Sequence, residues 1–60
     1  MTRTYPELPG WKFELDEVSA GVYEVVGRDR AGHVVQSKGI DPDELLEKCR
    51  KEAVDLQAKA

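Results

Sequence analysis

Within GRDRAGHVV (27–35), Arg28 and Arg30 stand close to the chain's single histidine, His33. Arginine and histidine are the side chains that clasp phosphates or pass protons near neutral pH. Cys49 is the only thiol, and Ser19 and Ser37 are hydroxyls that a neighbouring base could turn into nucleophiles. In IDPDELLE (40–47) the carboxylates Asp41, Asp43 and Glu44 crowd together, as they would around a cation.

Each of these has a plainer reading once its spacing is considered. Cys49 has no histidine near it in sequence to draw off its proton, and it falls on an apolar helical stripe where a thiol behaves as a small hydrophobe. No glycine elbow surrounds either serine. The acidic run lacks the alternating oxygen donors of a calcium loop, and its carboxylates suit the positive end of a helix. No glycine-rich phosphate cradle occurs. The chain is therefore expected not to be an enzyme and to carry no cofactor and no metal.

Composition narrows the field further. Sixty residues with 40% hydrophobic and 35% charged side chains suit one small folded domain rather than a disordered chain. A net charge of −3 supplies no overall positive field, so nucleic acid is a disfavoured partner. One cysteine excludes an intramolecular disulfide, and with one histidine it cannot complete a zinc site. No apolar run has the length of a signal peptide or a membrane span, which leads to an expected cytoplasmic location and no membrane partner.

The elements that must position these residues follow from two matching stretches. VSAGV (18–22) and DRAGH (29–33) both place Ala-Gly between strand-like runs. Each fits a three-residue hairpin loop ending in a left-handed glycine, Gly21 or Gly32. The first turn then sets Val18 opposite Val22, Leu15 opposite Val25 and Phe13 opposite Gly27. The second sets Asp29 opposite His33, Gly27 opposite Val35 and Glu24 opposite Lys38. Opposed residues share a face. Both hairpins accordingly gather Trp11, Phe13, Leu15, Tyr23, Val25 and Val35 on one side, with Phe13 covering the gap at Gly27. The other side collects the charges, Lys12, Glu14, Asp16, Glu24, Arg28 and Lys38, with four valines among them. In this register Arg30 lies in the turn, and His33 is free to pack over Trp11 or to pair with Asp29.

The last third reads as a helix over 42–57. Asp41 is a strong N-cap, Pro42 suits the first helical position, and Glu44 completes a capping box. Ile40 and Leu45 stand where a hydrophobic staple would close. Leu45, Leu46, Cys49, Ala53 and Leu56 form the apolar stripe, while Glu44–Lys48, Glu47–Lys51 and Lys51–Asp55 are opposite-charge pairs four apart. Residues 1–10, with two prolines and no periodicity, read as a flexible N-terminal arm ahead of a single domain over 11–60. The expected fold is α+β: a three-stranded antiparallel sheet in order 1-2-3 with one C-terminal helix packed on one face, β-β-β-α.

YPELPGW (5–11) resembles the PELPG segment of HicB-type antitoxins, and DPDELLEKCRKEAVDL (41–56) resembles the helix that follows it there. In that family strands precede the motif and few residues part it from the helix, whereas here a double hairpin intervenes, so no function is carried over. The predicted architecture is also similar to sheet-based DNA readers such as the integrase amino-terminal domains, without their motifs.

A three-stranded sheet with one helix leaves a face bare. On it Val18, Val22, Val26 and Val34 form an aliphatic patch, with Arg28 and Lys38 as further contact candidates. The expected function is a non-catalytic protein-interaction module, its partner another protein or a second copy of itself. The alternative is nucleic acid gripped by the same face through Lys12, Arg28 and Lys38.

Overall fold

The computed structural model describes residues 2–59. It shows an α+β fold, an antiparallel sheet with one C-terminal helix. The strands are β1 (Thr2–Arg3), β2 (Lys12–Ser19), β3 (Val22–Arg28) and β4 (Val34–Gly39), and the helix is α1 (Pro42–Lys59). The sheet has four strands in order β1-β2-β3-β4, not the expected three. The additional strand is two residues long, Thr2 pairing with Glu14 and Arg3 with Phe13. A strand that short has no alternation for a sequence pattern to register.

The second hairpin has the expected register: Gly27 lies opposite Val35 and Glu24 opposite Lys38. In the first, Phe13 meets Gly27 and Leu15 meets Val25, but nearer the turn the pairing departs from expectation. Val22 lies opposite Ser19 rather than Val18, and the register shifts between Glu17 and Ser19. In the expected type I turn the Gly21 N–H would go to the Val18 carbonyl. Here it donates to Glu17 Oε2 at 3.1 Å, and the extra residue is taken up as a bulge inside β2. Gly21 and Gly32 both have the positive φ expected of them, 72° and 91°.

Phe13 is fully buried at the centre of the core and occupies the space a side chain at position 27 would need. A Cβ placed on Gly27 would stand 2.5 Å from Phe13 Cε1 and 2.9 Å from Val35 Cγ2. Trp11 stacks on the Phe13 ring at 5.9 Å, and Tyr5 meets it edge-on at 5.4 Å. Such pairs contribute about 1 kcal/mol each beyond simple burial.

The helix lies mainly across β3 and β4, burying Leu45, Leu46, Cys49 and Ala53. Asp41 caps it as expected, its Oδ1 accepting the Asp43 and Glu44 N–H groups at 3.2 and 3.4 Å. The expected staple does not close: Ile40 is 81% exposed, and Leu45 packs toward Gly39 instead. Glu47 pairs with Arg50, three residues on, rather than with Lys51. Arg50 is drawn that way because it also lies 3.8 Å from Glu7 in the N-terminal segment.

One helix on β3 and β4 leaves the β2 side of the core open, and residues 4–11 cover it. They form two consecutive β-turns that share Leu8. The Leu8 N–H donates to the Tyr5 carbonyl at 3.1 Å, and the Trp11 N–H to the Leu8 carbonyl at 3.2 Å. Pro6 and Pro9 each occupy the second position of a turn, where a fixed φ is an advantage. Gly10 has φ 87°, which the third position of a type II turn requires. Leu8 is thereby inserted into the core, 1% exposed. The core thus draws on residues ahead of the expected 11–60 boundary, and the Gln57 amide reaches the Glu7 carbonyl at 3.5 Å.

Two expectations follow, both measured as urea-unfolding free energies. Leu8→Ala costs about 2–5 kcal/mol, as for a core leucine, whereas truncation within a loose arm would cost nothing. Gly27→Ala costs about 1–3 kcal/mol through overpacking against Phe13, despite the backbone entropy alanine saves in the unfolded chain.

Candidate functional site

The residues that looked most chemical separate in space. His33 turns toward the helix side, stacks on Trp11 at 6.4 Å and bonds Asp29 Oδ2 through Nδ1 at 2.7 Å. Asp29 Oδ1 accepts the backbone N–H groups of Ala31 and His33 at 3.0 and 2.7 Å. One carboxylate thus holds the second hairpin's turn together. Burial pushes the Asp29 carboxyl up, but the His33 side-chain and backbone hydrogen bonds, its charge and the Ala31 N–H outweigh this, leaving it below the ordinary value. Cys49 is fully buried with Sγ 4.0 Å from the Val25 carbonyl. Burial pushes its thiol up and Glu52 adds to this, against a smaller effect of Lys48. Among the described residues, no group of three His, Cys, Asp or Glu side chains could hold a metal ion. No helix there is long and apolar enough to cross a membrane.

Arg28 and Arg30 do come together, with a third cation that GRDRAGHVV does not contain. Lys12 lies directly opposite Arg28. All three border a groove of about 680 Å³ between the double turn and the sheet, whose other walls include Tyr5, Pro6, Pro9 and Val26. Arg30 is placed there by its stem, whose Cγ and Cδ lie against Gly10. Among the described residues, none of the three cations makes an ion pair. The sequence signal for this grouping was the register itself, which puts Lys12 beside Arg28; the turn that walls the groove is a matter of tertiary folding.

The groove opens onto the sheet face that the helix leaves uncovered. Three rows of side chains cross that face. At one end Lys12, Arg28 and Val34 are neighbours; in the middle Glu14, Val26 and Gln36; at the other end Asp16, Glu24 and Lys38. Glu14 accepts a 2.6 Å hydrogen bond from the Thr2 hydroxyl. Of the candidate contact residues, Val34 and Val18 are 53% and 46% exposed, and Val22 and Val26 are half-buried. Val18 sits in the β2 bulge instead of opposite Val22, so the valine patch is looser at that end than the sequence suggested. Arg28 and Lys38 are exposed at opposite ends of the face.

Across β2 and β3 like charges are thus adjacent, Lys12 with Arg28 at one end and Asp16 with Glu24 at the other, while on β4 Lys38 flanks Glu24. Like charges facing one another across a sheet disfavour the fold by some tenths of a kcal/mol (about 0.2–1 for a strong pair). No protein-family model, characterised protein or solved structure shows a significant match to the chain.

The Asp29 geometry has a pH signature. A carboxyl held below its unfolded value stabilises fully above the ordinary carboxylate range and loses that contribution as pH falls through the folded value. Amide protection at Ala31 and His33 is therefore expected to hold at about pH 6 and to drop as pH falls below about 4. Asp29→Asn should lower protection already at the upper pH and flatten the change. Equal pH profiles for variant and wild type would remove the carboxylate from this role.

Proposed function

We propose that the protein is a non-catalytic interaction module that self-associates through the helix-free face of its sheet. The observation that carries this reading is that face: Val26 and Val34 lie within it, Val18 and Val22 toward its turn end, and charges of both signs surround them. A small domain with one covered sheet face gains most by burying the other against a like surface. Carboxylates at Glu14, Asp16 and Glu24 oppose the alternative of a nucleic-acid backbone laid along the same strands. Lys12 and Arg28 stand together at one end and Lys38 alone at the other, beside Glu24, an arrangement that could reach few phosphates.

Val26→Lys combined with Val34→Lys puts charge into the middle of the patch while leaving the core residues untouched. By sedimentation, wild type is expected to associate as concentration rises into the high micromolar range, and the double variant to stay monomeric with an unchanged far-ultraviolet circular dichroism spectrum. A wild-type protein that stays monomeric throughout that range refutes the reading.

A further inference from the structure

We infer that the occupant of this face is a second copy in one particular orientation: face to face, strands reversed, related by a two-fold axis that crosses the strands at the Glu14–Val26–Gln36 row. The inference rests on the self-association just proposed and adds its geometry. A symmetric pair of stacked sheets has two simple choices of axis in the plane between them. An axis along the strands lays each row over its own counterpart. Between β2 and β3 it sets Lys12 over Arg28 and Asp16 over Glu24; along β3 it sets Arg28 over Arg28 and Glu24 over Glu24, with only Asp16 gaining a cation, Lys38. An axis across the strands reverses the rows. Lys12 of each copy then lies over Asp16 of the other, and Arg28 over Glu24, with Val26 meeting Val26 at the centre.

The registers extend the match beyond the ladder. Four residues from the axis in one direction lie Val18 on β2 and Val22 on β3; in the other direction the same count passes the strand ends to Gly10 and Arg30 in the adjoining turns. The tip of the first hairpin of each copy, with Val18 and Val22, therefore reaches the level of the other's groove. That groove offers what such a tip needs: apolar walls at Tyr5, Pro6 and Pro9 for the valines, and Lys12, Arg28 and Arg30 for the carboxylates of Asp16 and Glu24. Stacked sheets cross at about 30°, which displaces an end row by only a few ångströms and leaves cation over carboxylate. Glu14 meets its own counterpart near the axis, and its bond to Thr2 draws it toward the sheet edge. The same arrangement gives Lys12 and Arg28 counterions that no described residue of their own chain supplies, and the like-charge pairs Lys12–Arg28 and Asp16–Glu24 offset one another across the interface.

The test uses two complementary charge reversals on the full chain. Lys12→Glu with Arg28→Glu makes both end rows acidic; Asp16→Lys with Glu24→Lys makes both basic. Each variant alone is expected to self-associate at least about 100-fold more weakly than wild type, and an equimolar mixture to form the mixed dimer, seen by native mass spectrometry and sedimentation. Circular dichroism of each variant checks that it is folded. If either reversal disturbs the fold, Lys12→Gln and Asp16→Asn replace them, with a loss of about 10-fold expected from each. A wild-type chain that associates while the reversed variants associate equally well, or fail to combine on mixing, overturns this orientation and leaves the self-association itself standing. A monomeric wild type overturns both.

Discussion

The contact on which the rest depends is the ring of Phe13 lying over the bare backbone of Gly27. Gly27 is in the central part of the sheet, where a missing side chain would ordinarily leave a void. Phe13, directly opposite on β2, fills it so closely that even a methyl group at position 27 has no room. With that ring fixed, Trp11 stacks on one side and Tyr5 meets an edge. Trp11 then carries the arrangement outward to His33, and His33 to Asp29, which closes the second hairpin. One aromatic–glycine fit therefore sets both hairpins and the landing place of the N-terminal turns.

That landing place is what turns a sheet edge into a groove. The two proline turns insert Leu8 into the part of the core the helix does not reach, and Arg50 and Gln57 hold the Glu7 segment from the helix side. The outer surface of the same turns stands beside Lys12, Arg28 and Arg30. Packing on one side of the chain thus shapes the surface on the other. Ladder geometry does the remainder: because opposed residues share a face, the register that aligns Phe13 with Gly27 also aligns cation with cation and carboxylate with carboxylate on the uncovered side.

Most of the framework was legible before any coordinates. Two Ala-Gly turns with one gap at Gly27 admit a single register that puts the aromatics and Val35 together, and the helix announces itself through Asp41, Pro42 and its apolar stripe. What escaped were features with no periodicity to read. β1 is two residues long. The Glu17 side chain displaced the bulge by taking the Gly21 N–H, a local competition that turn statistics do not reveal. Arg50 chose Glu47 and Glu7 over the arithmetic of four-residue spacing because Glu7 arrives from a distant part of the chain. Of the candidate site, the valines, Lys12, Arg28 and Lys38 were legible as one face, whereas the joining of Arg30 to Lys12 and Arg28 in a groove was not.

The amino-acid sequence by itself determined the succession β2, β3, β4 and α1, the pairing of those strands, and which side of the sheet would be buried. These depend on short-range turn chemistry and on the two-residue period of a strand, both of which are local. Only the tertiary structure decided where YPELPGW would go. Its turns are local, since Pro6, Pro9 and Gly10 suffice to make them. Folding them over Phe13 depends on an opening in the core that exists only once the helix has settled on β3 and β4. The arginines of GRDRAGHVV border a groove for the same reason, because its other wall comes from a segment about twenty residues earlier in the chain.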